Sequence, residues 1–319
     1  MIAVDVMGGD FAPYVVLQGA VQAAREGNEV CLFGPEALMA SWLELEAKDW
    51  KQLPIKLVNA TETIGMADEP VGAVRKKQDS SLVKAVASVA QGDAAAVVSA
   101  GHSGALMVAS VFVLGRQEGI ERPAIAGLFP TSNGYVIGLD LGANTDCKPH
   151  HFVQFAQLGS AYAQRMLGIE HPRVALLANG EEDVKGSLLT KEAFQLLKQE
   201  AGIDFIGNRE PHDILGGNVD VFVCDGFTGN IFLKTFETVF SQRTLFFRQL
   251  LAERGITDQA VVDDLKKHLD AANVLKQMGG ALLIGVQKPV FVCHGSAQAG
   301  DIAQAIRTAS KYVKTHKNR

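Results

Sequence analysis

The sequence predicts a three-layer α/β/α fold, in which helices cover both faces of a mostly parallel β-sheet. Short apolar runs of strand type recur along the 319 residues, and they are continuous rather than alternating. Continuous runs are typical of strands covered on both faces, whereas a half-exposed strand alternates between apolar and polar residues. Each run is followed by a glycine-containing turn and then by a helix-type segment, which is the order of elements found in parallel sheets.

Seven runs support this prediction. They are Ile2–Val6, Val30–Phe33, Ala94–Ser99, Val136–Leu141, Arg173–Leu177, Val219–Cys224 and Val290–Cys293. Segments between them, such as Thr190–Gln199, have helical spacing. The chain has no long Pro/Ser linker, repeat or low-complexity tract. We therefore expect a single α/β domain over residues 1–319.

The charge balance argues against a nucleic-acid-binding protein. Lys plus Arg number 30 and Asp plus Glu number 35, giving a net charge of -5. Binding to a phosphate backbone depends on a strong basic excess, which this chain lacks. An acidic protein partner would need a local basic patch.

The cysteines and the first residues predict a cytoplasmic protein in its reduced form. Met1 leads directly into a strand-like run, and no stretch approaches the roughly 18 apolar residues that span a bilayer. None of the four cysteines (Cys31, Cys147, Cys224 and Cys293) forms a C-x-x-C pair. We expect no metal site of the structural zinc type.

The turns after the strands are the predicted ligand sites. Ligands of open parallel sheets bind beyond the carboxyl ends of the strands, and a helix that begins there offers free N–H groups to an anion. The segment Ser99–Gly104 is the best candidate, because it adds hydroxyl and imidazole donors. The chain contains no dinucleotide-binding G-x-G-x-x-G after its first strand, no P-loop and no G-x-S-x-G nucleophile motif.

Five strings of residues resemble the bacterial phosphate acyltransferase family, usually called PlsX. They are 5–10 (DVMGGD), 99–106 (SAGHSGAL), 140–149 (DLGANTDCKP), 179–186 (NGEEDVKG) and 223–231 (VCDGFTGNI). They follow the order of the family and cover nearly the whole chain. Each string alone is moderately specific, and together they are very specific.

The resemblance implies a fold like that of the isocitrate and isopropylmalate dehydrogenases, a homodimer and no cofactor. It implies transfer of a long-chain fatty acyl group from acyl carrier protein to inorganic phosphate, giving acyl phosphate for phosphatidic acid and phospholipid synthesis. It also implies peripheral attachment to the inner face of the cell membrane, near the acyltransferase that passes the acyl group to glycerol 3-phosphate.

The same resemblance assigns the catalytic roles to Lys185 and Asn230. Two anionic centres must meet in this reaction, phosphate and the oxyanion that develops on the thioester carbonyl. The site therefore has to supply positive charge and oriented N–H donors. A lysine could hold phosphate or polarise the carbonyl, and an amide can donate to the carbonyl oxygen. The plainer alternatives are a lysine that balances Glu181 and Glu182, and an asparagine that caps a helix.

Other residues are expected to position substrate or to orient loops. The substrate-positioning set is Ser99, Gly101, His102, Ser103, Gly104, Asn144 and Gly229. The loop-orienting set is Asp5, Asp10, Glu181, Glu182 and Asp225. An acyl-cysteine intermediate on Cys147 or Cys224 is an alternative mechanism, which would require an exposed thiol with a basic partner.

An amphipathic segment at about 231–275 stands apart from the α/β pattern. Its first part has a helical stripe of apolar residues that includes Phe232, Phe236, Phe246, Phe247, Leu250 and Leu251. This stripe could pack in the core or in a dimer, line the acyl-chain site, or lie on a membrane with Lys266 and Lys267 facing anionic lipid. Arg243, Arg248, Arg254 and Lys266 are candidates for docking the acidic carrier protein.

Three rival functions remain open at the level of the sequence. The first is an acyl-CoA:phosphate acyltransferase of the phosphotransacetylase kind, with the same chemistry but another thiol carrier. The second is a metal-dependent NAD(P) hydroxyacid dehydrogenase, which would need a carboxylate metal cluster and a nicotinamide pocket. The third is a membrane scaffold without catalytic activity.

Overall fold

The chain forms two compact units that each contain a β-sheet and helices. The first is Met1–Pro123 with Met278–Arg319, and the second is Ala124–Gln277. The computed structural model describes residues 1–255, 259–262, 264 and 279–316. The single α/β domain over residues 1–319 that the sequence predicts stays a prediction.

The first unit is built on a sheet in the order β3-β2-β1-β4-β11-β10. Its strands are β1 (Ile2–Asp5), β2 (Val30–Gly34), β3 (Ile55–Asn59), β4 (Ala96–Ser99), β10 (Ala281–Ile284) and β11 (Val290–Val292). Its helices are α1 (Tyr14–Arg25), α2 (Glu36–Glu46), α3 (Pro70–Lys76), α4 (Ser81–Gln91), α5 (Ser103–Ala109) and α10 (Ala299–His316), with a 3-10 turn at Trp50–Gln52 and a π-helical turn at Ser110–Leu114. Only the β10–β11 pair of this sheet is antiparallel among the pairs described.

The second unit has a sheet in the order β5-β6-β9-β7-β8. Its strands are β5 (Ala124–Thr131), β6 (Gly134–Leu139), β7 (Arg173–Leu177), β8 (Asp204–Arg209) and β9 (Val221–Val223). Its helices are α6 (Pro149–Leu167), α7 (Leu188–Gln199), α8 (Pro211–Leu215) and α9 (Gly226–Glu253). The β5–β6 pair is antiparallel, and β6, β9, β7 and β8 run parallel.

The predicted covering of the strands on both faces is confirmed. Every residue of β1, β2, β4 and β9 is buried. In the second unit, Phe129 contacts the α9 side chains Phe232 and Phe236, and Phe222 contacts Phe232, with ring centroids 5.2 Å apart in each pair. The first turns of the predicted apolar stripe therefore pack in the core of this unit.

An ion pair at the amino ends of β7 and β9 stabilises the second unit. The Asp220 carboxylate accepts hydrogen bonds from Arg173 N, Nε and Nη2 at 2.8–2.9 Å. Burial alone would raise the pKa of Asp220, but the hydrogen bonds from Arg173 outweigh it and lower the pKa. A lowered pKa means that the ion pair stabilises the fold above about pH 4, the usual pKa of an unfolded aspartate, and that this stability is lost as the pH falls.

We expect Asp220→Asn to reduce the free energy of unfolding by about 1–2 kcal/mol at pH 7, because charged hydrogen bonds are replaced by weaker ones. The difference from the wild type should shrink when urea denaturation is repeated below about pH 4. A difference that stays constant from pH 7 to pH 3 would contradict the role given to this carboxylate.

Candidate active site

Three segments of the second unit leave the same edge of its sheet. The strands β6, β9 and β7 are adjacent and parallel, so their carboxyl ends lie together. The segment after β6 contains Asn144, the one after β9 contains Asn230, and the one after β7 contains Lys185. The structure thus brings the two predicted catalytic residues to one edge of one sheet.

Asn230 lies inside the first turns of α9 rather than at its cap. The N-cap is Asp225, whose carboxylate accepts a hydrogen bond from Thr228 N at 2.9 Å. The alternative prediction that Asn230 caps the helix is therefore wrong, because the helix begins at Gly226. The Nδ2 atom of half-buried Asn230 donates to the Leu141 carbonyl at 3.3 Å.

Gly229 permits the close approach of α9 to the end of β6. A Cβ atom at this position would collide with the carbonyl oxygen of Asp140 and lie 2.9 Å from Cys224 Sγ. The structure gives Gly229 a packing role that places the next residue, Asn230, against the loop that follows β6.

Lys185 is exposed in the segment between β7 and α7. Its backbone N–H donates to the Glu182 carbonyl at 2.9 Å, and its stem passes over Gly180, where a Cβ atom would lie 2.8 Å from Lys185 Cγ. Its ammonium group has no carboxylate partner within the described part of the chain, while Asp183 pairs with Lys198 at 3.1 Å. The interpretation of Lys185 as a partner of Glu181 and Glu182 is therefore not supported.

Asn144 is buried and faces inward. Its backbone N and its Nδ2 donate to Asp140 Oδ2 at 2.6 and 2.9 Å, and its carbonyl accepts from Gly226 N at 2.7 Å. Asp140 is fully buried, and burial raises the pKa of its carboxyl group despite the hydrogen bonds that it accepts. These contacts connect the loop after β6 to the start of α9.

In the first unit, a buried carboxylate organises the turn after β4. Asp5 accepts from the Ser81 and Ser99 hydroxyls at 2.5 and 2.7 Å, and Ser99 Oγ accepts from Gly101 N at 3.0 Å. Burial raises the pKa of Asp5, although these hydroxyls and Met7 N–H oppose the shift. Ser99 is buried, so its hydroxyl acts on the shape of the turn.

The residues that follow this turn begin α5. His102 is the N-cap residue by backbone position, and Ser103 and Gly104 form the first turn. His102 Nδ1 is buried and accepts no hydrogen bond from the described residues. Its ring lies against Gly104, where a Cβ atom would be 3.1 Å from His102 Cε1. The imidazole is therefore held beside the N–H groups of this turn.

In the first unit, the loop after β11 lies at the same sheet edge as the turns after β1 and β4. The sequence showed this loop only as one of the glycine-containing turns. The strand β11 is parallel to β4, and Asp10 N donates to the Gly295 carbonyl at 2.8 Å, so residues 294–296 lie beside the turn after β1. Ser296 N donates to His294 Nδ1 at 3.2 Å, and Ser296 Oγ is 2.7 Å from the same atom. A neutral His294 accepting this bond carries its proton on Nε2. His294 and Ser296 are exposed and join the candidate residues of this unit.

Burial makes three of the four cysteines poor nucleophiles. Cys31, Cys224 and Cys293 are buried, and burial raises the pKa of each thiol, that of Cys293 to about 12. The thiolate is the reactive form of cysteine. An acyl-enzyme on Cys224 is thus disfavoured, because the thiol is inaccessible and because it stays protonated.

We expect a thiol reagent at pH 8 to modify at most about one cysteine of the native protein, half-buried Cys147, and all four after denaturation. Counting modified thiols against time in both states tests this. The Cys147→Ser variant is the matched control, and in its native state the reagent should modify no thiol. Rapid modification of three thiols in the native state would contradict it.

The distal half of α9 has exposed apolar side chains. Val239, Leu245 and Phe246 are each about half exposed or more, whereas Phe247, Leu250 and Leu251 are partly buried. Arg243 lies over the Phe240 ring at 4.3 Å, and Arg254 is exposed. The side chain of Arg248, the residues Lys266 and Lys267 and most of the segment 261–275 lie outside the described residues. No helix in the part of the chain that is described has both the length and the apolar character needed to cross a bilayer.

Comparison of the sequence with known families finds a match over the whole chain. The family described as "Fatty acid synthesis protein" matches residues 1–319. A phosphate acyltransferase of Anaeromyxobacter sp. (strain K) is 44% identical over 321 residues, covering 99% of this chain and 87% of the relative. Another from Geobacter sp. (strain M21) is 45% identical over 319 residues, covering 98% and 89%.

Solved structures confirm the predicted fold class. A phosphotransacetylase from Streptococcus pyogenes aligns with a TM-score of 0.63 at 19% identity, covering 98% of this chain and 94% of that one. A 4-hydroxythreonine-4-phosphate dehydrogenase from Klebsiella pneumoniae aligns with a TM-score of 0.54 at 14% identity, covering 98% and 99%. At these identities the likeness concerns the fold alone, whereas the sequence relatives, matched over nearly their full length, are acyltransferases. The chain belongs to the phosphate acyltransferase family.

Proposed function

We propose that this enzyme transfers a long-chain fatty acyl group from acyl carrier protein to inorganic phosphate, giving acyl phosphate for phospholipid synthesis. The family match to fatty acid synthesis and the relatives named phosphate acyltransferase support this substrate class. The observation that carries the mechanism is that the Lys185 ammonium has no carboxylate partner among the described residues, while Lys185 and Asn230 follow neighbouring strands at the same sheet edge.

The proposed reaction is a direct attack of phosphate on the thioester. A phosphate oxygen adds to the carbonyl carbon, and the carbonyl oxygen becomes an oxyanion. The C–S bond then breaks, the thiolate of the carrier leaves and takes up a proton, and acyl phosphate is released. Phosphate is largely ionised near pH 7 and needs little help from a general base, so the enzyme acts mainly through charge and orientation.

Lys185 and Asn230 supply the charge and the oriented donor. The exposed ammonium of Lys185 is free to neutralise phosphate or the developing oxyanion. The Asn230 amide has one N–H directed to the Leu141 carbonyl, which leaves its second N–H to donate to the thioester oxygen. Gly229 and Asn144 act through packing and hydrogen bonds that fix this amide.

Within the first unit, the turn after β4 is proposed to bind an anion such as phosphate. Ser103 and Gly104 offer backbone N–H groups there, Ser103 adds a hydroxyl, and His102 adds an imidazole. Ser99, held by Asp5, acts through Gly101 N rather than on the ligand itself. The chemistry requires no nucleotide, redox cofactor or metal ion.

The assembly and location are part of the same proposal. We place the protein in the cytoplasm as a homodimer that attaches to the inner face of the membrane beside the acyltransferase that consumes acyl phosphate. The α9 side chains Val239, Leu245 and Phe246 are apolar and exposed. They support a surface that the second copy of the chain or the membrane covers. Arg243, which lies on the same helix, supports a contact with the acidic carrier or with lipid.

The thiol carrier distinguishes the proposal from its nearest rival. We would measure phosphate-dependent thiol release from palmitoyl carrier protein and from palmitoyl-CoA at equal concentrations. The proposal predicts a kcat/KM at least about tenfold higher for the carrier protein. Equal or greater efficiency with palmitoyl-CoA would favour the acyl-CoA:phosphate acyltransferase, and nicotinamide reduction with a hydroxyacid would favour the dehydrogenase.

A further inference from the structure

The Asp140 carboxylate is enclosed by backbone and side-chain N–H groups. Oδ1 accepts from Ile125 N at 2.9 Å, Ala143 N at 3.0 Å and Gly142 N at 3.2 Å. Oδ2 accepts from Asn144 N at 2.6 Å and Asn144 Nδ2 at 2.9 Å. Asp140 has no exposed surface. Four of these five donors belong to the loop 142–144, so this one side chain fixes the path of that loop.

The loop lies directly against the Asn230 amide. Leu141, the residue after Asp140, accepts the hydrogen bond from Asn230 Nδ2. Gly142, at φ +131°, has so little room that a Cβ atom would lie 2.8 Å from Asn230 Nδ2. The position of the amide therefore depends on the backbone at residues 141 and 142.

The same loop also holds the helix on which Asn230 lies. The Asn144 carbonyl accepts from Gly226 N at 2.7 Å, at the first residue of α9. The carbonyl of Asp140 lies against Gly229, so the helix cannot shift toward the strand without a collision. Asp140 thus acts on Asn230 through the loop contact and through the start of the helix.

From these contacts we infer that Asp140 is the positioning residue for Asn230 and that its carboxylate sets the orientation in which the Asn230 amide meets the thioester. This inference rests on the proposed function, which gives Asn230 its catalytic contact. Asp140 itself is fully buried, so it would act through its neighbours rather than on the substrate.

Only a carboxylate satisfies all five donors. An asparagine at position 140 offers one acceptor oxygen and an NH₂ group, which has no acceptor capacity. With its oxygen toward Ile125, Gly142 and Ala143, its NH₂ group would face the two N–H donors of Asn144 and release them. The expected consequence is a displaced loop and a misdirected Asn230.

The test is a double-mutant cycle on kcat with acylated carrier protein and phosphate. We expect Asp140→Asn to lower kcat about 100-fold, because displacements of about 1 Å can cost that much. In the Asn230→Ala background the same change should cost less than about threefold, because there is no amide left to position. Two losses that multiply would overturn the inference, since they would show that Asp140 acts independently of Asn230.

Asp220→Asn is the matched control, because it also removes an inward-facing carboxylate of the second unit, at the opposite end of the strands. It should leave kcat within about twofold while lowering stability. A loss of kcat as large as that of Asp140→Asn would overturn the inference, because any buried carboxylate would then have the same effect.

Gly142→Ala keeps the inference testable if Asp140→Asn does not fold. Its added methyl group presses on Asn230 Nδ2. It should lower kcat in the wild-type background and lower it much less in the Asn230→Ala background, and an equal loss of kcat in both would overturn the inference.

If Asn230→Ala alone turns over normally, the catalytic role in the proposed function fails, and the inference that depends on it fails too. If Asn230→Ala is slow but its loss in kcat simply multiplies with the loss from Asp140→Asn, the inference about Asp140 is refuted and the proposed function stands.

Discussion

We expect Lys185→Ala to fold normally and to lose about a thousandfold in kcat for acyl phosphate formation. The exposed ammonium is not used in an ion pair within the described residues, so its removal should leave the free energy of unfolding unchanged to within about 0.5 kcal/mol. In the proposed mechanism its charge acts where negative charge gathers in the transition state, and such groups contribute several kcal/mol to catalysis. Initial rates of thiol release, measured beside urea denaturation, test both parts.

Lys191→Ala is the matched control for this variant. Lys191 is another exposed lysine of the same unit, one turn into α7. It should retain turnover within about twofold, as ordinary surface substitutions do. If Lys185→Ala keeps more than about a tenth of wild-type kcat, the catalytic assignment of Lys185 is wrong.

The second large effect is expected for Asn230→Ala, with a loss of about 100- to 1,000-fold in kcat. Removal of one donor to a developing oxyanion typically costs this much. The KM for phosphate should change little, because the amide is assigned to the thioester carbonyl rather than to the nucleophile. Asn133→Ala, at an exposed asparagine between β5 and β6, provides the control and should be active.

Asn230→Asp separates hydrogen bonding from size. The aspartate is nearly isosteric but offers a negative charge and no N–H donor at neutral pH. It should be at least as slow as Asn230→Ala, since it would repel the oxyanion. Near-normal activity of either variant would contradict the role of Asn230.

The seven strands that the sequence predicted are mostly buried, but the sequence missed β5 and β10, which are also mostly buried, as well as β3 and β8. Arg173–Leu177 was predicted with the bounds that the structure has, and β1, β2, β4, β6, β9 and β11 differ by one or two residues at one or both ends. The strands β3 and β8 were missed because they lie at the ends of the two sheets, where coverage is partial and charged residues such as Lys56, Asp204 and Arg209 occur. A partly covered strand lacks the continuous apolar run that identifies an inner one.

The candidate site was predictable as far as its loops. The glycine turns identified the strand ends where Lys185 and Asn230 lie in the second unit and where Ser99 lies in the first, because turns of a parallel sheet follow its strands. The enclosure of Asp140 could not be predicted, since four of its five donors are backbone N–H groups that any sequence has. The pairing of His294 with Ser296 also depends on side-chain geometry that the turn alone does not specify.

The most direct test of direct phosphate attack is a rapid-quench experiment with carrier protein bearing a radiolabelled fatty acyl group. Without phosphate, the account predicts neither thiol release nor label on the enzyme, because phosphate itself attacks the thioester and no acyl-enzyme forms on Cys147 or on the buried thiol of Cys224. Adding orthophosphate should release one thiol for each acyl phosphate formed. A phosphate-independent burst of thiol, with label bound to the enzyme, would contradict it.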